Sequence, residues 1–206
     1  MFFRSVLKKS LLSNSLTCIS ITDENIVKAI NSLNANGSTG FDMISPKMIK
    51  RVSCYLVAPL RMMFAKSMTT VDIPQDWRKG IIVPIYKNNG KPSDAASYRP
   101  VCITSAISKI FEKIIHRQLL DYFIDHDIIS REQHGFLQRR STTTNLIECF
   151  NDWTRSMEEK NPIDIIYIDV AKAFDSVSPP KLLHKLSKLG IGGSLLHWVA
   201  NIPTTT

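Results

Sequence analysis

Two stretches of this 206-residue chain have the length and β-branched composition of a strand: GIIVPIY over 80–86 and IIYI over 165–168. Pro84 places the first at a sheet edge or bulge, because proline donates no ladder hydrogen bond. The second is continuously apolar, as expected of a strand covered on both faces. A chain so poor in strands must build most of its core from helices, and its patterning agrees. The expected class is α+β, rich in helix.

After Thr22, Ile26, Ile30 and Leu33 recur at helical spacing, with Gly37 as the stop. Ser45 followed by Pro46 reads as an N-cap with proline in the first turn, opening a helix through KMIKRV. A further helix covers LVAPLRMMFAKSM, with Pro59 at its start or at a kink. KNNGKPSDAASYRP is a basic loop by composition. From Ser105, a long helix places Ile107, Ile110, Phe111, Ile114, Gln118 and Tyr122 on one face and Lys109, Lys113 and Arg117 on the other. Ser141 caps the next helix, with Leu146, Ile147, Phe150, Trp153 and Met157 inward and Asn161–Pro162 as its end. Ser178, Pro179 and Pro180 start a last helix bearing Leu182, Leu183, Leu186 and Leu189, which Gly190 stops. GIGGS at 190–194 lacks the lysine and preceding strand of a phosphate loop and reads as a helix-ending turn.

The net charge of +8 favours a polyanionic partner, nucleic acid above all, over an acidic or neutral one. No stretch approaches the roughly 18 apolar residues of a membrane span, so no membrane partner is expected. Cys18, Cys54, Cys102 and Cys149 are scattered, which argues against a zinc ribbon or disulfide framework and fits a reducing compartment. The expected location is intracellular, in nucleus or cytoplasm. The first 22 residues carry Arg4, Lys8 and Lys9 with no acid and also loosely match a mitochondrial presequence.

IIYIDVAKAFDSV sets Asp169 and Asp175 at the end of an apolar run. A carboxylate where a strand gives way to a turn sits on a rigid scaffold and can reach solvent or a hard cation such as Mg²⁺. By spacing alone it serves equally well as a cap on the turn.

YIDVAKAFDSV with PKLLHKLSKLGI behind it resembles the first palm motif, D-x-x-x-A-F-D, of reverse transcriptases of the non-LTR (LINE-like) retrotransposon type. WRKGIIVPIYKNNGKPSDAASYRPVCITSAISKIFEKII resembles the family's first fingers motif, ISREQHGFLQRRST its second, and NANGSTGFDMIS the segment before the fingers. Four blocks in the family's order span residues 25–200. The family usually has glycine where this chain has Arg139, and proline and glycine where it has Phe41 and Met43.

The resemblance implies the fingers and palm portion of a right-hand polymerase fold, truncated: an N-terminal extension with a short helix over 1–36, a fingers-like region over 37–160, and the start of a palm over 161–206. It implies that Asp169 is the first catalytic carboxylate and, with the carbonyl of Val170, a ligand to two Mg²⁺ ions. Phe174 would abut the sugar of the incoming nucleotide. Lys87 and Arg99 would approach the triphosphate, and Gln133, Arg139 and Arg140 would track the template. Asp175 is assigned structure before catalysis, and His134 and Gly135 shape the turn. The implied partners are an RNA template, a DNA primer and deoxynucleoside triphosphates. No Y-x-D-D or F-x-D-D occurs in the sequence, so the carboxylate set is incomplete and the 206 residues alone are expected to be inactive. The alternatives are a nucleic-acid-binding module without catalysis and a degenerate relic whose apolar edge at 165–168 is left exposed.

Overall fold

The computed structural model describes residues 15–202 apart from Lys172. Its elements run α1 (Asp23–Asn31), α2 (Pro46–Arg51), α3 (Ser53–Thr70), β1 (Gly80–Tyr86), β2 (Tyr98–Thr104), α4 (Ala106–Asp125), α5 (Thr142–Glu158), α6 (Pro179–Lys188) and α7 (Gly193–Asn201). The class is helix-rich α+β, with β1 and β2 paired antiparallel as a two-stranded sheet. Among the described residues, 15–122 together with 178–202 make one compact unit, and 123–177 make another.

Local chemistry sets the helix ends of the first unit. Thr22 accepts from the Asn25 amide at 3.2 Å to open α1, and Asp23 and Glu24 sit in its first turn, where the helix dipole favours negative charge. Ser45 caps α2 by accepting from the Met48 amide at 3.2 Å, with proline at the first helical position. The far end of α1 is closed from a distance: Lys50 donates to the Asn31 carbonyl and Lys113 to the Ser32 carbonyl, both at 2.9 Å. α1 therefore ends at Asn31 with Ser32 as its cap, before the expected stop at Gly37. Partial burial and the nearby Lys50 hold the Lys113 ammonium below the usual lysine range.

The core of this unit is aromatic at its centre. Phe64 of α3 and Phe111 of α4 stack with centroids 4.6 Å apart, Trp77 meets both rings, and Trp198 of α7 stands edge-on to Phe111 at 5.0 Å. The Trp198 indole N–H donates to Ser67 Oγ at 3.0 Å, and that hydroxyl donates to the Asp72 carbonyl at 2.6 Å, so burying the indole leaves no orphan donor. Ile26, Ile30, Ile49, Ile110, Ile191 and Leu195 are buried in the same unit. Pro59 lies inside α3, not at its start. Of the face read for α4, Ile110, Phe111, Ile114 and Tyr122 are buried, while Ile107 and Gln118 are half-buried.

A strap formed by residues 15–20 crosses this unit. Leu16 bridges Ile191 in parallel, donating to the Gly190 carbonyl at 2.9 Å and accepting from the Gly192 amide at 3.1 Å. The Gln118 side chain binds both backbone groups of Ser20, at 2.7 and 2.8 Å. Gly193 has φ +56°, and a Cβ there would come within 2.9 Å of Thr17. The glycines of GIGGS thus do more than end α6. They admit the strap and open α7, a helix the sequence reading did not place.

Three further expectations are corrected. Residues 165–168 form no strand and are exposed, because among the described residues no strand lies beside them to take up their N–H and C=O groups. Asp169 consequently does not end a buried strand. α5 forms as read, closed at its start by a capping box between Ser141 and Thr144, but it buries none of its residues. Its stripe of Leu146, Ile147, Phe150 and Met157 is exposed and Trp153 half-buried: periodicity dictates a helix with an apolar face, not what covers that face. Finally, the SYRP end of the expected loop belongs mostly to β2, which the prolines and Arg99 had disguised.

Candidate functional site

The β1–β2 hairpin carries the two cations read as triphosphate ligands. Ile85 pairs with Arg99 and Tyr86 with Tyr98, and the register continues one step further, with the Lys87 amide donating to the Ser97 carbonyl at 2.8 Å. Side chains alternate between the faces of a strand, so Lys87 and Arg99 share one face as diagonal neighbours. The loop between them is braced internally. Tyr86 donates its hydroxyl to the Gly90 carbonyl at 2.7 Å, Tyr98 to the Pro92 carbonyl at 2.9 Å, and Asp94 accepts from the Ala96 amide at 2.9 Å. Lys87 donates to the Ala96 carbonyl at 2.7 Å, leaving two of its three protons. Arg99 makes no hydrogen bond or ion pair among the described residues and presents its whole planar fork, the geometry that suits a phosphate. Sequence reasoning passed over the two bracing tyrosines; their positions immediately flanking the loop were the available signal.

In the second unit, ISREQHGFLQRRST folds around a polar centre. His134 is its buried side chain among the described residues; Nδ1 lies 2.9 Å from Thr144 Oγ1 and Nε2 3.0 Å from Glu148 Oε2. Thr144 Oγ1 already serves the capping box, accepting from the Ser141 amide at 2.8 Å. Arg140 donates to the Arg131 carbonyl and lies 3.4 Å from the imidazole, so its guanidinium is partly engaged in the turn. Gln133 donates to the Gly135 carbonyl at 3.2 Å. Arg139 is exposed, on a left-handed backbone with φ +62°. Hydrogen bonding from the Ser130 hydroxyl, ahead of the nearby arginines, holds the Glu132 carboxyl below the usual carboxylate range.

Asp169 and Val170 lie exposed in an irregular segment before the turn that carries Phe174 and Asp175. Phe174 is 80% exposed and is not a core aromatic. Its ring meets that of Phe136 edge to face, centroids 6.3 Å apart, and Phe136 itself holds a left-handed backbone, φ +63°, within the QHGF turn. The first palm motif and the second fingers motif therefore touch, and Phe136 went unnoticed as their point of contact. Among the described residues no group of three or more His, Cys, Asp and Glu side chains could hold a metal ion. Asp169 alone does not fit a two-ion centre, in which the ions stand about 3.5–4 Å apart and share several carboxylates.

A braced hairpin presenting paired cations, followed in the chain by the QHGF turn and the D-x-x-x-A-F-D turn, defines a class of protein. The chain belongs to the reverse transcriptase (RNA-dependent DNA polymerase) family, whose model matches residues 85–203. The type is that of non-LTR retrotransposons. The probable RNA-directed DNA polymerase from transposon BS of Drosophila melanogaster is 30% identical over 179 residues, covering 86% of this chain and 20% of that protein. The RNA-directed DNA polymerase from mobile element jockey of the same species is 27% identical over 175 residues, covering 85% and 19%. The chain spans about a fifth of the length of these curated relatives.

Proposed function

We propose that this chain is the fingers and the start of the palm of a right-hand polymerase that copies an RNA template onto a DNA primer. The observation that carries the reading is the hairpin, which sets Lys87 and Arg99 on one face of a rigid turn, as recognition of a triphosphate requires. Gln133 and Arg139, exposed at the second fingers motif, would lie along the template, where contacts to phosphate position a strand without reading its sequence. Phe174 would face the sugar of the incoming nucleotide.

Asp169, with the Val170 carbonyl, would supply oxygen ligands to the Mg²⁺ of the intact enzyme, an ion that activates a primer hydroxyl and neutralises the leaving group when bound. The described residues do not supply the remaining carboxylates. The 206 residues alone are accordingly expected to bind nucleotide without extending a primer. A fluorescently labelled deoxynucleoside triphosphate should bind the chain, and Arg99→Ala should weaken it about tenfold or more, the worth of a charge-assisted hydrogen bond. Equal binding by parent and variant would remove the hairpin from the site. Primer extension by the chain that vanishes in Asp169→Asn would overturn the expectation of inactivity.

A further inference from the structure

The charge of this molecule is segregated. Residues 15–122 with 178–202 carry 17 of the 26 lysines and arginines and eight of the 18 acids, a formal charge of +9, against −4 over 123–177, the stretch that contains QHGF and Asp169. Part of that positive charge is engaged within the fold. Lys28, Arg61 and Lys79 pair with carboxylates, and Lys50, Lys87 and Lys113 cap carbonyls. α6 is different. Its sequence, PPKLLHKLSK, has no acid, and none follows Asp175 through residue 206.

Lys181, Lys185 and Lys188 stand at i, i+4 and i+7, which at about 100° per residue places them within roughly 60° of one another on the helix. All three are exposed, and none has an ion pair or hydrogen bond among the described residues. The opposite side of α6 is turned inward through Leu183 and Leu186, both half-buried. The helix end is fixed: the Leu189 carbonyl accepts from the Tyr122 hydroxyl at 3.1 Å, and the strap closes over Gly190 and Ile191. Three like charges on one stripe repel one another, and α6 itself supplies no carboxylate to offset the cost.

We propose that the lysine stripe of α6 is a second nucleic-acid contact, separate from the hairpin and the QHGF turn, that grips the sugar–phosphate backbone. The stripe rises about 10 Å from Lys181 to Lys188, close to three successive steps of the roughly 3.4 Å rise per nucleotide along one strand. Exposed lysine ammoniums on flexible stems suit backbone phosphates as point charges and read no base edges. The choice of nucleic acid among polyanions rests on the polymerase reading above.

The test is the affinity of the full chain for a labelled single-stranded RNA 20-mer, by fluorescence anisotropy across a series of KCl concentrations. Each single-strand phosphate neutralised adds about 0.7 to the slope of log K against log salt. The K181Q/K185Q/K188Q variant is therefore expected to lose about 2 from that slope while melting at the parent's temperature, since the replaced side chains are exposed. An unchanged slope would overturn the proposal. If Arg99→Ala lowers the slope while the α6 variant does not, the polymerase reading stands and α6 has no part in it. If the parent does not bind RNA, both readings of the basic unit fail. Binding to phosphatidylserine vesicles that depends on the same lysines, with RNA binding unaffected, would make α6 a membrane-surface helix and equally overturn the proposal.

Discussion

Arg139 and Met43 hold φ +62° and +56°, a left-handed backbone that costs an L side chain about 1–2 kcal/mol. These are positions where the family usually carries glycine, and the backbone explains why: each lies in a turn that must bend the chain through that region. Met43→Gly and Arg139→Gly are each expected to raise stability by about 1 kcal/mol in urea unfolding, and alanine at the same sites to raise it little. At Arg139 the gain in stability would come at the expense of a cation facing the proposed template path. His134 makes the opposite prediction. His134→Ala leaves Thr144 and Glu148 without their shared partner, at a cost of about 1–3 kcal/mol. Hydrogen exchange should then rise across residues 123–177 while amides of the aromatic core keep their protection.

At the scale of elements, caps and prolines made α1, α2, α5 and α6 legible. Ser45–Pro46 and Ser178–Pro179–Pro180 each admit one reading, and β1 was found to its last residue because β-branched runs bounded by glycine have few alternatives. Elements fixed by a partner distant in sequence were harder to see. β2 exists because β1 lies opposite it, and α7 because the strap crosses Gly193. Residues 165–168 have the composition of a strand but no strand beside them. The candidate site divides in the same way: Lys87 and Arg99 were visible as motif positions, but their sharing one face depends on register, and the meeting of Phe136 with Phe174 depends on tertiary structure. Tyr122 offers an element-level test. Burial raises its hydroxyl above the ordinary tyrosine value, so stability is fully present below the unfolded value of about 10 and falls as pH rises through the folded one. Tyr122→Phe should cost about 0.5–1.5 kcal/mol for the bond to Leu189 and flatten that alkaline decline in a pH series of melts.

For the molecule as a whole, stability is concentrated in one unit. Phe111→Ala or Trp198→Ala opens the aromatic core and should cost about 3–5 kcal/mol, whereas Met157→Gln on the exposed stripe of α5 should stay within about 0.5 kcal/mol and improve solubility. Urea unfolding of the three variants separates these outcomes. The strap and α7 carry one more implication, for the ribosome. The segments that meet in this unit lie far apart in the sequence, so Phe111 emerges long before Trp198 exists to cover it. At 5–20 residues per second the wait is roughly 4–17 s. For that interval Phe111 has only Phe64 and Trp77, made before it, to shield its ring, and the edge that Trp198 later covers stays open.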